Sequence, residues 1–257
     1  MNSLPSCIDH SSEPEARRLP DAVPNFNRLA RAYRWMEWFS FGPFLGACRS
    51  AFLPRMIHCR NALVLGDGDG RFTARLLRAS PSIRVHAVDA SPAMLAALTR
   101  ACGPNVARLN AELGDLRTWH PPPTAHYDLV VAHFFLDCLS TREVFTLVER
   151  IRHILAPGAL WIVSEFAVPP GWFGRLIAEP IVRSLYLAFG LLTGLRPRAL
   201  PDHASALRTA GFTPIERRTR LGGLLVSELW TAGAVSTPKS LDPPESQPEI
   251  ACPQRRF

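Results

Sequence analysis

The 257-residue sequence contains one lysine, Lys239, and no Gly-Lys-Ser/Thr step anywhere. That absence excludes a phosphate-cradling P-loop, whose lysine reaches the terminal phosphates. Six cysteines (Cys7, Cys48, Cys59, Cys102, Cys138 and Cys252) include no Cys-x-x-Cys pair. Their scatter argues against a disulfide scaffold or a structural zinc site and suits a reducing cytoplasm. Long apolar runs are missing too. The longest without a charge, 184–195, has 12 residues, too few to cross a bilayer. The start of the chain is polar and acidic, without the basic and then apolar pattern of a secretion signal. A cytoplasmic location is the expectation.

What is present is enough apolar sequence for a core: 47% of residues are hydrophobic, and mean hydropathy is +0.04. The formal charge is +7, and it is unevenly placed. Residues 1–24 carry a net −2 and residues 232–257 a net 0, which leaves +9 on the body between them. A basic body attracts polyanions, anionic lipid or acidic substrates; a solvated arginine-rich surface is the plain alternative. Residues 1–24 and 234–257 are rich in polar residues and proline, with no apolar period, and are expected to be disordered. The folded domain is expected over 25–233.

Within it, apolar runs alternate with helical patterns. Strands are expected at 62–65, 83–88, 106–110, 128–132 and 160–164. Ser91-Pro92 reads as an N-cap with proline in the first helical turn. Ser140 with Glu143 reads as a capping box ahead of Phe145, Val148, Ile151 and Leu155. Alternation of this kind implies a parallel sheet covered on both faces. Asp202 caps a last helix that stops at Gly211. Two further strands, 212–218 and 224–230, join around Gly222-Gly223 as an antiparallel hairpin. The fold class expected is therefore α/β, a doubly wound, mostly parallel, seven-stranded Rossmann-like sheet with a C-terminal antiparallel hairpin.

The most informative segment runs Ala62-Leu63-Val64-Leu65-Gly66-Asp67-Gly68-Asp69-Gly70-Arg71-Phe72. An apolar strand enters Gly-x-Gly-x-Gly and then a helical pattern. Such glycines let backbone approach a ligand closely, and the following helix offers unpaired N–H groups. Asp89 ends the second strand candidate, where doubly wound folds place an acid on ribose hydroxyls. Together these features point to a nucleoside-containing ligand; the alternative for Asp89 is a local cap before Ser91. A dinucleotide fingerprint would need glycine where Arg71 or Thr73 stands. A calcium loop would need oxygen ligands where Arg71 and Arg78 stand.

These residues resemble the class I S-adenosylmethionine-dependent methyltransferases, over roughly 26–230. Gly66, Gly68 and Gly70 match the motif that wraps the donor's methionine moiety, and Asp89, followed by Ala90, matches the ribose-binding acid. Gly114-Asp115-Leu116 falls where the family contacts adenine, so the resemblance gives that role to Asp115. The segment 127–133, ending in His133, resembles the fourth strand, whose end faces the transferred methyl. The segment 155–160 resembles the turn into the fifth. One departure is Val64, which stands where many members carry an acid supporting the donor's amino end; Asp67 or Asp69 is the candidate substitute. The resemblance implies S-adenosylmethionine as cosubstrate and no metal.

Because a sulfonium methyl is already activated, catalysis needs in-line placement of the acceptor, plus a base when the acceptor loses a proton. His133, Asp137 and Glu165 are the candidate bases, with structural roles as the alternative for each; His203 ranks below them. The segment after the fourth strand, His133-Phe134-Phe135-Leu136, lacks the Asn/Asp-Pro-Pro-Tyr/Phe motif of nucleobase amino-group methylation, and Cys138 lacks the proline expected before a pyrimidine C5 nucleophile. Nucleic acid is therefore disfavoured, although the basic body keeps an RNA methyltransferase as the alternative. Val64 keeps a donor-binding scaffold without turnover as another. Two aromatic-rich stretches flank the core: Phe26, Leu29, Tyr33, Trp35, Trp38, Phe39, Phe41 and Phe44 before it, and Trp172, Phe173, Leu185, Tyr186, Phe189, Leu191 and Leu192 within 170–200. In the family, segments at these places close over the donor as a helical lid. Their content suggests a small apolar acceptor, with plain helix packing as the alternative. Arg175, Arg183, Arg196 and Arg198 flank the second stretch and face an acceptor carboxylate, anionic headgroups at a membrane surface, or water.

Overall fold

The computed structural model describes residues 41, 43–193 and 200–233. The expected disordered ends lie outside the described residues, as do Phe26, Leu29, Tyr33, Trp35, Trp38, Phe39, Arg196 and Arg198; so do the side chains of Tyr186, Phe189, Leu191 and Leu192. Seven strands form one sheet: β1 (Asn61–Leu65), β2 (Arg84–Asp89), β3 (Leu109–Leu113), β4 (Tyr127–His133), β5 (Leu155–Phe166), β6 (Phe212–Arg220) and β7 (Leu225–Ala232). Their order is β3-β2-β1-β4-β5-β7-β6. The first five run parallel, while β7 is antiparallel to both β5 and β6. This is the α/β sheet expected from the alternation of strand and helix patterns.

Helices cover both faces: α1 (Pro43–Arg49), α2 (Leu53–Met56), α3 (Arg71–Ala79), α4 (Pro92–Cys102), α5 (Thr141–Arg152), α6 (Glu179–Thr193) and α7 (His203–Thr209). Strand alternation sorts the core. Ala62, Val64, Val85, Leu129, Val131 and Ile162 pack with Met56, Phe72, Leu76 and Leu98 on one face. Leu63, Leu65, Val130, Ala132, Trp161 and Val163 pack with Val144, Leu147, Ile151 and Leu207 on the other. Each such buried aliphatic or aromatic side chain stabilises by about 1.5–3 kcal/mol. Val64 is one of them, packed in the core.

The starts of the helices follow their sequences. Ser91 Oγ accepts from Met94 N–H, and the Ser140–Glu143 capping box is formed in both directions. Asp202 Oδ1 accepts from Ser205 N–H at 2.9 Å. Two strand expectations need correction. The third strand is 109–113 rather than 106–110, because Gly103–Arg108 continues α4 as a 3-10 turn with Pro104 at its start. Arg108 holds that turn by reaching the carbonyls of Leu77, Ser80 and Ile83. The fifth strand is 155–166 rather than 160–164. Its register slips between Tyr127↔Leu155 and Leu129↔Leu160, so 156–159 bulge out around Pro157 and Gly158. Strand β6 is an edge with mostly exposed side chains.

Candidate active site

The glycine turn is shaped by backbone geometry that L side chains avoid. Gly66, Gly68 and Gly70 have φ of 60°, 61° and 77°, in the left-handed region that favours glycine. A side chain at Gly66 would strike the Phe135 ring, and one at Gly70 would meet Leu98 Cα at 2.5 Å. The first glycine therefore lets the loop after β4 close against the turn. The third lets α3 and α4 approach.

The neighbouring strand ends are tied to this turn. Gly66 N–H donates to Val88 O at 3.0 Å, and Gly114 N–H donates to Asp89 O at 3.0 Å. Asp89 Oδ1 accepts from Ser91 N–H at 2.8 Å. Its carboxylate also accepts from the Gly68 backbone, yet burial raises its pKa to about 6. Asp89 thus does what the local-cap alternative describes while standing beside the glycine turn. Gly66, Gly68, Gly70, Asp89, Ala90, Asp115 and Leu116 are brought to one edge of the sheet.

The other two acids of the turn are engaged by the chain. Asp67 Oδ2 accepts from Thr73 N–H at 2.9 Å, capping α3. Burial, opposed by the hydrogen bonds from Thr73, takes the Asp67 pKa to about 6. Asp69 pairs with Arg71 at 2.9 Å. Asp115 holds Arg117 through both carboxylate oxygens, at 3.0 and 2.7 Å, which keeps its pKa below the usual carboxylate value. Leu116, next to it, is buried.

The three candidate bases do not form one constellation. His133 ends β4 on the face that carries Leu129 and Val131, its ring edge-on to Phe72 at 4.4 Å. Neither ring nitrogen has a protein partner among the described residues. Burial, and then Arg49, keeps the imidazole neutral by lowering its pKa well below the usual value. Ser164 is its partner in register, so Glu165 points to the opposite face. There Glu165 Oε1 accepts from Phe135 N–H at 3.2 Å and Leu136 N–H at 2.9 Å, fixing the loop after β4. Burial and the nearby Asp137 push its pKa well above the usual carboxylate range. Asp137 is buried beside it, 3.6 Å from the Cys138 sulfur. His203 is elsewhere, bonded to Glu228 at 3.1 Å.

Arg49 is the residue sequence reading missed. It is buried at the end of α1, its guanidinium 5.4 Å from the Phe134 ring centroid, and its charge acts on both His133 and Asp67. No local motif marks it, because α1 reaches the site only through tertiary packing. Phe134 has φ of 53°, a left-handed conformation costly for an aromatic residue. Its ring lies 5.1 Å from that of Phe166, which is 5.3 Å from Phe41. An aromatic wall therefore adjoins His133 and Arg49.

These features fit a nucleoside sulfonium donor: a turn that only glycine can form, an acid at the next strand end, and buried imidazole nitrogens with no protein partner. No group of three or more metal-ligating side chains occurs among the described residues. Residues 63–161 match the family model described as a methyltransferase domain. Over 114 residues the chain is 35% identical to trans-aconitate 2-methyltransferase of Mycobacterium tuberculosis, covering 44% of this chain and 38% of that protein. Over 113 residues it is 33% identical to malonyl-[acyl-carrier protein] O-methyltransferase of Halorhodospira halophila, covering 44% and 37%. The chain thus spans under two-fifths of the length of these curated relatives. Among solved structures, the N-methyltransferase NodS from Bradyrhizobium japonicum, in complex with S-adenosylhomocysteine, superposes with a TM-score of 0.53 at 16% identity, covering 73% of this chain and 87% of that one. Sheet order and family match agree: residues 63–161, under half of the chain, resemble a methyltransferase domain, and the sheet has the fold of the superposed methyltransferase structure.

Proposed function

We propose that the chain moves a methyl group from S-adenosylmethionine to a small, largely apolar acceptor. The observation that carries this reading is the hydrogen-bonded union of the glycine turn with Asp89 at the carboxyl edge of the sheet. When bound, the donor supplies an electrophilic sulfonium methyl that needs no metal. In this reading Gly66, Gly68 and Gly70 admit the methionine part, Asp89 accepts from the ribose hydroxyls, and Asp115 with Leu116 borders the adenine. Asp67 and Asp69, already paired with Thr73 and Arg71, contribute negative potential toward the ammonium rather than a free carboxylate. Ala90 completes the strand end.

The acceptor lies against Phe134, Phe166 and Phe41, with residues 170–200 as its helical cover. His133, neutral in its pocket, takes a hydrogen bond or the leaving proton from the acceptor. Glu165 and Asp137 act by positioning the loop after β4. Arg49 beside the aromatic wall favours an acceptor that also bears a carboxylate, and the names of both curated relatives specify acid-bearing acceptors. The four described cysteines are free thiols, which supports a reducing, cytoplasmic setting.

The test is transfer of labelled methyl from the donor to a panel of apolar alcohols, phenols and carboxylic acids. Turnover lost in His133→Ala, with donor affinity retained, supports the assignment. Turnover that persists in His133→Ala removes His133 from the chemistry. Methylation of RNA instead of any small acceptor overturns the substrate class.

A further inference from the structure

The described residues contain ten large hydrophobic side chains that are notably exposed, and six of them (Val168, Trp172, Leu176, Ile177, Ile181 and Leu187) lie within one 20-residue stretch. Trp172, Leu176 and Leu187 are 72%, 69% and 67% exposed. From Trp172 onward the stretch is a continuous helix in which the turn Gly174–Ala178 is π-helical and leads into α6. Gly174, Ala178 and Val182 form its buried side, packed on Phe41, Leu45, Leu224 and Leu225. The wider π-turn keeps these three in line and sends Trp172, Leu176 and Leu187 to the opposite side, away from the sheet. A helix apolar on both sides needs a second apolar neighbour, yet water is what this outer side meets.

Its polar residues show which neighbour. Arg175 and Arg183 are exposed on one shoulder of the helix, and Glu179 between them pairs with Arg183 at 2.6 Å. Arg196 and Arg198 follow in sequence, so 168–200 holds four arginines against one acid, on a body of net charge +9. An apolar ridge carrying an exposed tryptophan with a cationic shoulder is the pattern of a helix lying in a membrane interface. No helix of the described residues is long and apolar enough to cross one. We propose that the outer side of residues 168–187 docks on an anionic lipid bilayer, with Trp172, Leu176 and Leu187 entering the headgroup region and Arg175 and Arg183 meeting lipid phosphates. The proposal does not rest on the methyl-transfer reading.

The test is flotation of the full chain with vesicles of phosphatidylcholine alone and of phosphatidylcholine mixed with phosphatidylglycerol. Binding to the mixed vesicles is expected, with at least tenfold weaker partitioning onto phosphatidylcholine alone. Trp172→Ser with Leu176→Ser removes exposed side chains only, so the circular dichroism is expected to be unchanged while vesicle binding is lost. Arg175→Gln with Arg183→Gln lowers partitioning by about tenfold. Two results overturn the proposal. One is absence of binding to either vesicle. The other is a dimer that the Trp172→Ser and Leu176→Ser pair dissociates, which assigns the surface to a second copy of the chain. Donor titration of the same preparation reads the methyltransferase site independently.

Discussion

At the ends of β1, β2 and β3 the carboxylates of Asp67, Asp69, Asp89 and Asp115 all accept hydrogen bonds from the chain itself. One and two strands away, at the ends of β4 and β5, the His133 imidazole and Glu165 Oε2 are buried with no such partner among the described residues. The first region is preorganised: backbone and arginine donors fix each acid before any ligand arrives, so binding costs little reorganisation. The second keeps its titratable groups neutral through burial. Burial shifts both groups toward their neutral forms, the direction that reduces the penalty of a buried unpaired charge. The difference separates the edge proposed to bind the donor, whose acids are already fixed, from an edge where polarity is held in reserve beside an aromatic wall.

The largest expected effect breaks the binding edge by backbone. Gly70→Val combines a left-handed φ with a collision against the Leu98 backbone, and should cost about 3 kcal/mol or more in thermal or denaturant unfolding. Gly66→Ala has a left-handed φ too and meets Phe135 at the root of its ring, which ring rotation cannot relieve, so a loss of about 2–3 kcal/mol is expected, together with loss of donor binding.

The next comparison falls on the reserved edge. Glu165→Ala deprives the Phe135 and Leu136 N–H groups of their acceptor and should cost about 2–3 kcal/mol. Glu165→Gln keeps a carbonyl oxygen as acceptor where burial and Asp137 push the carboxyl pKa up, and should stay within about 1 kcal/mol of the parent. Equal losses in the two variants would show that Glu165 is ionised, contrary to the contrast drawn here.

Acidification moves the two measurable properties in different directions. Asp67 and Asp89 have folded-state pKa values of about 6, raised from 3.8. Between those values the folded chain binds more protons than the unfolded chain, so these groups add stability as the pH falls from 7 to 5. On the proposed reading, in which the Asp89 carboxylate accepts from the ribose, donor binding should weaken by up to about tenfold per unit below pH 6. Melting curves and donor titrations over that range check both signs. A donor affinity flat to pH 5 would remove Asp89 from the ribose contact.

Much of this was legible before folding. The buried stretches 62–65 of β1 and 129–132 of β4 announce themselves as unbroken apolar runs, and Ser91, Ser140 and Asp202 mark helix starts by capping chemistry alone. The glycine turn was legible because steric freedom is a property of residue type. The third strand was misplaced because Val106 is apolar but lies in a 3-10 turn secured by Arg108, a contact no local pattern encodes. That His133 and Glu165 face opposite sides of the sheet follows from register. Arg49 enters the site through packing of α1 on distant sequence, which no motif records.

The account stands most directly on one measurement: calorimetric titration of the full chain with S-adenosylmethionine and S-adenosylhomocysteine at pH 7.5, beside Asp89→Ala. Micromolar binding by the parent, weakened about 30- to 100-fold in the variant, is the predicted result. A well-folded parent that binds neither compound, or a variant that binds as tightly as the parent, would contradict it.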